Sequence, residues 1–369
     1  MRFSSWRTRT KFVLVMAFVF FLFSGFCFDA WGVHWCIVNG ECQRADDGNR
    51  GGGGGSNPTP TAVPTATNTP VPQPIAPRPT SSRYIATINP GIHYNVGCAR
   101  GLDAQAGVIV LDFGQPDLVG TEWGSFLFDD VSFAPIAEIE TAVEAYIEGY
   151  SDCRPIVVVG QLVVAVGTNN YVGTTGFSAE MYYQHGRAWS EMINRLGDYI
   201  SARAYGSIVR VAGANDIETD YSPSHYARRW AEGFDGVNDH VFYNFGDAGG
   251  CSPYEASNGP CNNGWTQSDV WYVSWGVISA VPLPQIYLES GLNAAQWQKI
   301  SLYSELSHGY PMLIAGTLTQ LKACQDRGCP TGTANSPSEG WAQMLYALNS
   351  DARTAQEELK YSSDIGWDD

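Results

Sequence analysis

The stretch Ser207-Ile-Val-Arg-Val-Ala-Gly-Ala-Asn-Asp-Ile-Glu218 joins a strand signal to an abrupt polar end. Its β-branched residues favour a strand, whereas Asn215 and Asp216 are poor strand formers and mark where the strand ends. Side chains alternate along a strand at period two, so Asp216 and Glu218 project from the same side if the extended conformation continues that far. Two acids at a strand exit are a candidate acid/base pair, although acids after a strand also cap the next helix.

The same design recurs along the chain, as short β-rich runs separated by helix-like stretches. The runs span residues 84–89, 108–113, 156–167, 208–212, 241–245, 270–275, 286–289 and 312–315. Near-continuous apolar strands that alternate with helices indicate parallel pairing through right-handed crossovers. Eight such strands predict an α/β fold, a closed (β/α)8 barrel of the TIM type. An open doubly wound sheet is the alternative, and the sequence lacks the Gly-rich phosphate-binding motifs that would favour it.

Composition limits the class of partner. The chain has 369 residues, is 44% hydrophobic and carries 12 Trp and 19 Tyr, which is ample for one large core. A formal net charge of -16 argues against nucleic acid or an anionic membrane surface as a partner. It fits a soluble protein, expected to be a monomer, that meets neutral ligands.

Four segments are predicted. Residues 1–30 hold basic residues before an apolar run and are predicted to be an export segment, either cleaved or kept as an N-terminal membrane anchor. Residues 31–50 form a short Cys-containing segment. Residues 51–82 are rich in Gly, Pro and Thr and are expected to be an extended, disordered linker. Residues 83–369 are the barrel domain, which places it outside the cell or at its surface.

The chain has nine cysteines, and the eight that remain without Cys27 form an even number that predicts disulfides in an oxidising compartment. Closure between near neighbours in sequence is the simplest of the connectivities. None of these neighbours is Cys-x-x-Cys or has His at zinc-finger spacing, so no metal site is expected. The neighbours are Cys36 and Cys42, Cys251 and Cys261, and Cys324 and Cys329, which leaves Cys98 and Cys153.

Nearly every predicted strand ends in an acid, an amide or an aromatic residue. In a (β/α)8 barrel the catalytic residues gather at the carboxyl ends of the strands. Glycoside cleavage uses this set of residue types: a protonated acid, a second carboxylate, and amides that bind sugar hydroxyls. The sequence has no G-x-S-x-G or H-E-x-x-H motif, and no cofactor is expected. The strand-end residues are Asp112, Asn169, Asn170, Asn215, Asp216, Glu218, Asn244, Asp247, Ser274, Trp275 and Glu289.

Several of these residues can also be explained by a purely structural role. Asp112 can cap a turn, and Asn169 with Asn170 can form an Asx-turn. Trp275 can fill the barrel instead of stacking on a sugar ring. Glu289, at the end of a short apolar run, is costly to bury without a task or a partner.

The order of the acids resembles known (β/α)8 glycoside hydrolases. With Asn215 on the fourth predicted strand and Glu289 ending the seventh, the chain resembles barrels whose acid/base follows an Asn on strand four and whose nucleophile ends strand seven. It departs from them because Asp216, not Glu, follows Asn215. The Asp216-x-Glu218 spacing is also similar to the end of the acidic motif in chitinase-like and lysozyme-like barrels, where the Glu is the acid and the Asp orients it. The longer Asp-x-x-Asp-x-Asp-x-Glu form is absent, and the resemblance covers residues 83–349 at the level of architecture.

The resulting hypothesis is an exported glycoside hydrolase that cleaves a cell-wall or environmental polysaccharide. Glu218 would be the general acid and Glu289 the nucleophile or base. Asp216 would orient the acid, with Asp112 as an auxiliary. The alternatives are a barrel that binds a glycan or a surface partner without cleaving it, and a structural envelope protein. The predicted substrate contacts are Asn170, Asn215, Asn244, Asp247 and Trp275.

Overall fold

The structure is a computed structural model that describes residues 74–129, 131–156, 159–171, 176–237 and 240–367. It also describes the backbone of three short antiparallel strands, which belong to a unit that comprises Met1–Pro70, whereas Val71–Asp369 forms a second unit. Most of the predicted export segment, residues 51–73 of the predicted linker and the side chains of the predicted Cys36 to Cys42 disulfide lie outside the described residues. The three strands are β1 (Cys27–Ala30), β2 (Val33–Val38) and β3 (Glu41–Arg44).

The described residues of the second unit contain eleven strands. In chain order they are β4 (Thr80–Tyr84), β5 (Gly107–Asp112), β6 (Gln115–Val119), β7 (Glu122–Phe126), β8 (Phe133–Pro135), β9 (Leu162–Asn169), β10 (Val209–Asp216), β11 (Phe242–Asn244), β12 (Ala280–Pro282), β13 (Gly316–Thr319) and β14 (Tyr361–Trp367). Strands β6, β7 and β8 form a small antiparallel sheet of their own. The other eight are all parallel and pair in the order β12, β11, β10, β9, β5, β4, β14, β13.

The eight-stranded sheet closes through the segment that follows β12. Gln285 forms a parallel bridge with Leu318 of β13. The backbone N–H of Ile286 donates to the carbonyl of Leu318 at 2.9 Å, and the N–H of Leu318 donates to the carbonyl of Pro284 at 3.0 Å. These bonds join the two end strands of the series, so the predicted (β/α)8 barrel is confirmed and the open sheet is excluded.

Helices surround the barrel and follow most of its strands. Asn89, Ser178 and Ser336 begin three of them by accepting backbone N–H groups of the first turn, as N-cap residues do. A π-helical turn, Tyr272–Gly276, continues directly from the fifth helix. Among the described residues, no helix has the length and apolar character that a membrane span requires. The helices are α1 (Pro90–Leu102), α2 (Ile136–Cys153), α3 (Ala179–Ala202), α4 (Ser224–Asp235), α5 (Gln267–Trp271), α6 (Leu292–His308), α7 (Leu321–Arg327) and α8 (Pro337–Asn349).

Two hydrophobic clusters hold the barrel, one between the sheet and the helices and one inside the sheet. The inner cluster includes Val110 of β5 and Ala214 of β10. Asp112 and Asp216 lie two residues further along the same strands, so period-two alternation turns them to the same inner side. The barrel interior is therefore acidic at the carboxyl ends of the strands and apolar one layer further inside.

Several predicted strands are displaced or wrong. Residues 270–275 are helical, because Thr266 and Asp269 form a capping box that begins α5. The sixth barrel strand is β12, so residues 286–289 follow strand six and do not form strand seven. Residues 312–315 precede β13, and the true eighth strand, β14, was not predicted. The first strand begins at Thr80, inside the predicted linker.

The described residues hold three disulfides: Cys98 with Cys153, Cys251 with Cys261, and Cys324 with Cys329. The predicted presence of disulfides is confirmed, and the last two pairs are the predicted near neighbours, whereas the sequence left the pairing of Cys98 with Cys153 open. The disulfide between Cys98 and Cys153 links α1 to the last residue of α2, two helices that pack at very short distance. Gly97 of α1 makes this approach possible, because a Cβ there would overlap the carbonyl oxygen of Tyr146 in α2.

Candidate active site

Four acids form one cluster at the carboxyl end of the barrel, here called the acid cluster: Asp112, Asp216, Glu218 and Asp247. Asp112 ends β5 and Asp216 ends β10, and both are buried. Glu218 follows β10, and Asp247 follows β11. The charges of Asp112, Glu218 and Asp247 all act on the pKa of Asp216. Because Coulomb interactions weaken with distance, each of these three carboxyls lies close enough to Asp216 to act on it.

Glu218 is the acid best suited to hold a transferable proton. Burial raises its pKa to about 8, and the negative charges of Asp247 and Asp220 act in the same direction. A hydrogen bond from the side chain of Tyr221 opposes this rise. A carboxyl group with such a pKa stays protonated at neutral pH, which is the state that a general acid requires.

The other members of the cluster are also shifted toward the protonated state. Burial raises the pKa of Asp216 well above its ordinary value, the charge of Glu218 adds to this, and a hydrogen bond from Gln285 Nε2 at 2.8 Å opposes it. Burial raises the pKa of Asp112 to about 7. Burial also raises the pKa of Asp247, whose Oδ2 accepts a hydrogen bond from the hydroxyl of Tyr287 at 3.1 Å.

Four of the predicted strand-end residues close the same kind of turn. In each, the side-chain Oδ1 accepts the backbone N–H two residues later, which is an Asx-turn. The pairs are Asp112 with Gly114 (2.9 Å), Asn169 with Tyr171 (3.0 Å), Asn244 with Gly246 (3.1 Å) and Asp247 with Gly249 (2.9 Å). The turn uses only one of the two carboxylate oxygens of Asp112 and of Asp247. Each of these acids can therefore close its turn and still take part in chemistry through the other oxygen.

The side chain of Asn170 holds the backbone of Glu218 through hydrogen bonds. Its Oδ1 accepts the backbone N–H of Glu218 at 2.9 Å, and its Nδ2 donates to the carbonyl of Glu218 at 2.9 Å and to Ser222 Oγ at 3.0 Å. Asn170 is 1% exposed. It was predicted to contact substrate, but these bonds engage both polar atoms of its amide and make it a positioning residue.

The two other predicted amides do not reach the barrel mouth. Asn215 lies one residue from Asp216 on the same strand, so period-two alternation turns it to the outer side of the sheet, where it is buried. Asn244 is buried as well, and its Nδ2 donates to Ser274 Oγ at 2.8 Å. Both side chains therefore lie away from the barrel mouth, where the sequence predicted that they would contact a substrate.

Trp275 and Glu289 are also displaced from their predicted places. Trp275 lies in the π-helical turn and packs against the outer core, because the segment that contains it is helical and not a strand. Glu289 is exposed on the loop after β12, where its backbone N–H donates to the carbonyl of Gly332 at 2.9 Å. Glu289 is not among the charges that shift the pKa of Glu218 or Asp216. The premise that it ends strand seven is wrong.

Strand seven itself ends without a carboxylate. β13 closes with Thr319, and Gln320 follows it. The barrel therefore lacks an acid at the position where the family that it resembles has its nucleophile.

A cavity of about 240 Å³ lies at the mouth of the barrel, beside the acid cluster. Asp216 lines it directly, together with Tyr221, the hydrogen-bond partner of Glu218. Residues at the ends of strands one, three, seven and eight complete the inner wall. These are Tyr84, Asn169, Gln320 and Trp367, and the outer wall consists of Phe128, Ala323, Cys324, Arg327, Gly328 and Cys329.

Sequence reasoning missed the aromatic side of the site. Tyr84, Phe128 and Trp367 form one group, with ring centroids 4.9 Å apart for Tyr84 and Phe128 and 4.6 Å apart for Tyr84 and Trp367. Tyr221 was also missed, although it follows Glu218 by only three residues. A signal for Trp367 existed in the alternating run that became β14, which Ser, Asp and Gly residues weakened.

No group of three or more His, Cys, Asp or Glu residues in the described ranges is arranged to hold a metal ion.

Comparisons with known proteins give a likeness of chain path only. No family model matches the chain, and no curated protein is similar to it. Among solved structures, it is similar to the modular endo-β-1,4-mannanase of Cellulomonas fimi, a glycoside hydrolase family 26 enzyme, with 12% identity, 74% of this chain and 60% of that chain covered, and a TM-score of 0.37. It is also similar to the endo-1,4-β-mannanase of Rhizomucor miehei, with 11% identity, 80% and 86% covered, and a TM-score of 0.37. The endo-β-1,4-mannanase of Thermotoga petrophila matches with 11% identity, 79% and 67% covered, and a TM-score of 0.35.

Proposed function

We propose that the protein is a glycoside hydrolase whose general acid is Glu218. The observation that carries the proposal is the position of Glu218, a half-buried carboxyl that keeps its proton at neutral pH in an acid cluster beside a cavity. The aromatic and polar lining of this cavity is of the kind that binds sugar rings. Glu218 would give its proton to the oxygen of the glycosidic bond as that bond breaks, a water molecule would add to the anomeric carbon, and the proton that this water loses would return to the Glu218 carboxylate.

Asp216 is the second carboxyl of the proposal. It lines the cavity, it lies two residues before Glu218, and Gln285 holds one of its oxygens. Asp216 orients the acid and faces the positive charge that develops on the sugar as the bond breaks. Asp112 is an auxiliary whose charge helps to raise the pKa of Asp216 and of Glu218. Asn170 keeps the backbone of Glu218 in place.

The substrate class follows from the same features. A cavity of about 240 Å³ would accommodate a sugar unit, and its open side would accept the rest of a polysaccharide chain. We further propose that the protein is exported, with residues 1–30 as the export segment and residues 51–79, which precede the first barrel strand, as a spacer that holds the barrel away from the surface. The three disulfides are typical of a protein in an oxidising compartment.

The test is a comparison of Glu218→Gln with the unmodified full chain on a panel of cell-wall and environmental polysaccharides. The Gln side chain keeps the shape of the acid but has no proton to transfer. Release of reducing ends should fall by roughly 10² to 10⁴-fold, while glycan binding persists. The matched control is Glu289→Gln, an exposed site outside the acid cluster, which should leave the rate unchanged.

A second candidate function is glycan binding without cleavage. It is favoured by strand seven, which ends in Thr319 and Gln320 and supplies no second carboxylate from that side of the mouth. Binding of a polysaccharide without any release of reducing ends by the unmodified protein would decide for this candidate. Unchanged hydrolysis by Glu218→Gln would remove Glu218 from the mechanism.

A further inference from the structure

We propose that the cavity binds an anionic group of its carbohydrate ligand, a carboxylate or a sulfate, through the guanidinium of Arg327. The inference deepens the proposed function, because it concerns the ligand of the same cavity. It does not depend on cleavage, since it concerns binding alone.

Arg327 is the cation that lines this cavity. It is the last residue of α7, and its guanidinium carbon lies 3.7 Å from the centroid of the Trp367 ring. Among the described residues, this cation–π contact is the interaction that the structure records for the guanidinium. An arginine stacked on an aromatic face keeps its N–H donors free at the edge, in the fork geometry that matches a carboxylate or a sulfate.

Within the part of the chain that the structure describes, Arg327 forms no ion pair with an acid, and this is informative. Acids outnumber bases by 37 to 21, and most of the recorded arginine side chains pair with a carboxylate, as Arg195 does with Glu140. Arg327 instead lines a cavity together with Asp216 and is directed by a tryptophan. A cation that forms no ion pair within the described residues is available for an external anion.

The position of Arg327 is held by its surroundings. The backbone N–H of Trp367 donates to Asp326 Oδ2 at 3.2 Å, which fastens the end of α7 to β14. Gly328 follows with φ +77, a left-handed conformation that reverses the chain immediately after the arginine. The disulfide between Cys324 and Cys329 closes this turn. The guanidinium is therefore placed by a short, cross-linked loop.

The Trp367 ring supports the cation and is not free to stack on a sugar. The guanidinium of Arg327 lies over the Trp367 ring. The rings of Tyr84 and Phe128 also contact it, with centroids 4.6 Å and 5.7 Å from that of Trp367. With the tryptophan occupied in this way, the group that this wall presents to a ligand is the guanidinium.

Glu218, the acid beside the cavity, does not oppose an anion at neutral pH. Burial raises its pKa to about 8, so this carboxyl is mostly protonated and uncharged there, and burial shifts the pKa of Asp216 in the same direction. An anion at Arg327 would therefore meet one cation beside a largely neutral Glu218. The same anion would further favour the protonated form of Glu218, which is the form that the proposed mechanism uses.

The test measures binding of the Glu218→Gln full chain to oligosaccharides in matched pairs. Each uronate oligosaccharide is paired with its carboxyl-reduced neutral form, and each sulfated oligosaccharide with its desulfated form. The anionic member of a pair should bind about tenfold to a hundredfold more tightly, and salt should weaken it. The uronate and sulfate arms identify which anion the cavity takes.

Arg327→Gln, made in the same Glu218→Gln background, should abolish this preference, and Arg327→Lys should restore part of it, because lysine keeps the charge and loses the fork. The matched control is Arg203→Gln, which removes another arginine stacked on an aromatic ring, Tyr199, on the surface of α3. Equal binding of both members of every pair, no binding of any anionic member, or a preference that survives Arg327→Gln would overturn the proposal. A failure of hydrolysis would leave it standing, since hydrolysis is measured separately.

Discussion

Glu218 combines burial, neighbouring charge and one opposing hydrogen bond, and each contribution to its pKa has a named source. Burial and the charges of Asp247 and Asp220 favour the protonated form. The hydrogen bond from Tyr221 favours the ionised form. The pH at which activity is lost should therefore depend on a residue that is not itself the acid.

Tyr221→Phe removes that hydrogen bond, so the pKa of Glu218 should rise above about 8. In the proposed mechanism the protonated form is active, and activity falls as pH rises through this pKa. The basic limb of the kcat/KM profile should therefore lie near pH 8 in the unmodified protein and move upward in the variant. Tyr171→Phe is the control. The Tyr171 ring centroid lies 5.6 Å from that of Tyr221, and this variant also loses a tyrosine hydroxyl, but not one that is bonded to Glu218. A basic limb that moves downward or stays in place would contradict this account.

At the scale of elements, the packing of α1 on α2 depends on glycine. Gly97 lies against the carbonyl oxygen of Tyr146, and Gly149 of α2 lies equally close to the carbonyl of Tyr94. The disulfide between Cys98 and Cys153 sits beside this contact and ties the two helices together. The helices that follow strands one and two are thus fixed as one pair.

Gly97→Ala should separate these two helices. The added Cβ meets backbone, which cannot rotate away as a side chain can, so the variant should lose about 3 kcal/mol of unfolding free energy. Denaturant unfolding of both proteins measures the difference. Gly206→Ala is the control, since a Cβ there has nothing within 4 Å and should be neutral or slightly stabilising. Equal stability of Gly97→Ala and the unmodified chain would mean that the helices can move apart at no cost.

At the scale of the whole molecule, the acid cluster links stability to pH. Asp112 has a pKa of about 7 in the folded chain, raised by burial from 3.8. Between these two values the unfolded chain releases a proton that the folded chain retains, so stability falls as pH rises. The resulting loss of unfolding free energy is absent below about pH 4 and complete above about pH 7.

Asp112→Asn should therefore stabilise the protein at pH 8 and have little effect at pH 4. Asparagine resembles the protonated acid, and its Oδ1 keeps the hydrogen bond from the N–H of Gly114. The gain at pH 8 should be at most about 4 kcal/mol. Thermal or urea unfolding at pH 4, 6 and 8 checks the trend, with the exposed Asp198→Asn as a control that should not vary. A gain that is the same at all three pH values would contradict the linkage.

The alternation of short apolar runs with amphipathic stretches was sufficient to predict the barrel, because this pattern has few other parallel solutions. The Asp216-x-Glu218 spacing was sufficient to find the acid pair, since period two is a property of any strand. Two disulfides, Cys251 with Cys261 and Cys324 with Cys329, followed from the cysteine spacing. These features are local, and the sequence determined them by itself.

The tertiary structure decided which segments are barrel strands and which residues face the mouth. β11 and β12 have three residues each, so their strand character comes from the neighbours that pair with them and not from a local pattern. For the same reason residues 270–275 could be mistaken for strand six, which displaced Glu289 and Trp275 in the count. Tyr84, Trp367 and Arg327 are far apart in the chain, and only closure of the barrel brings them beside Asp216. Burial by that closure is also what raises the pKa of each acid.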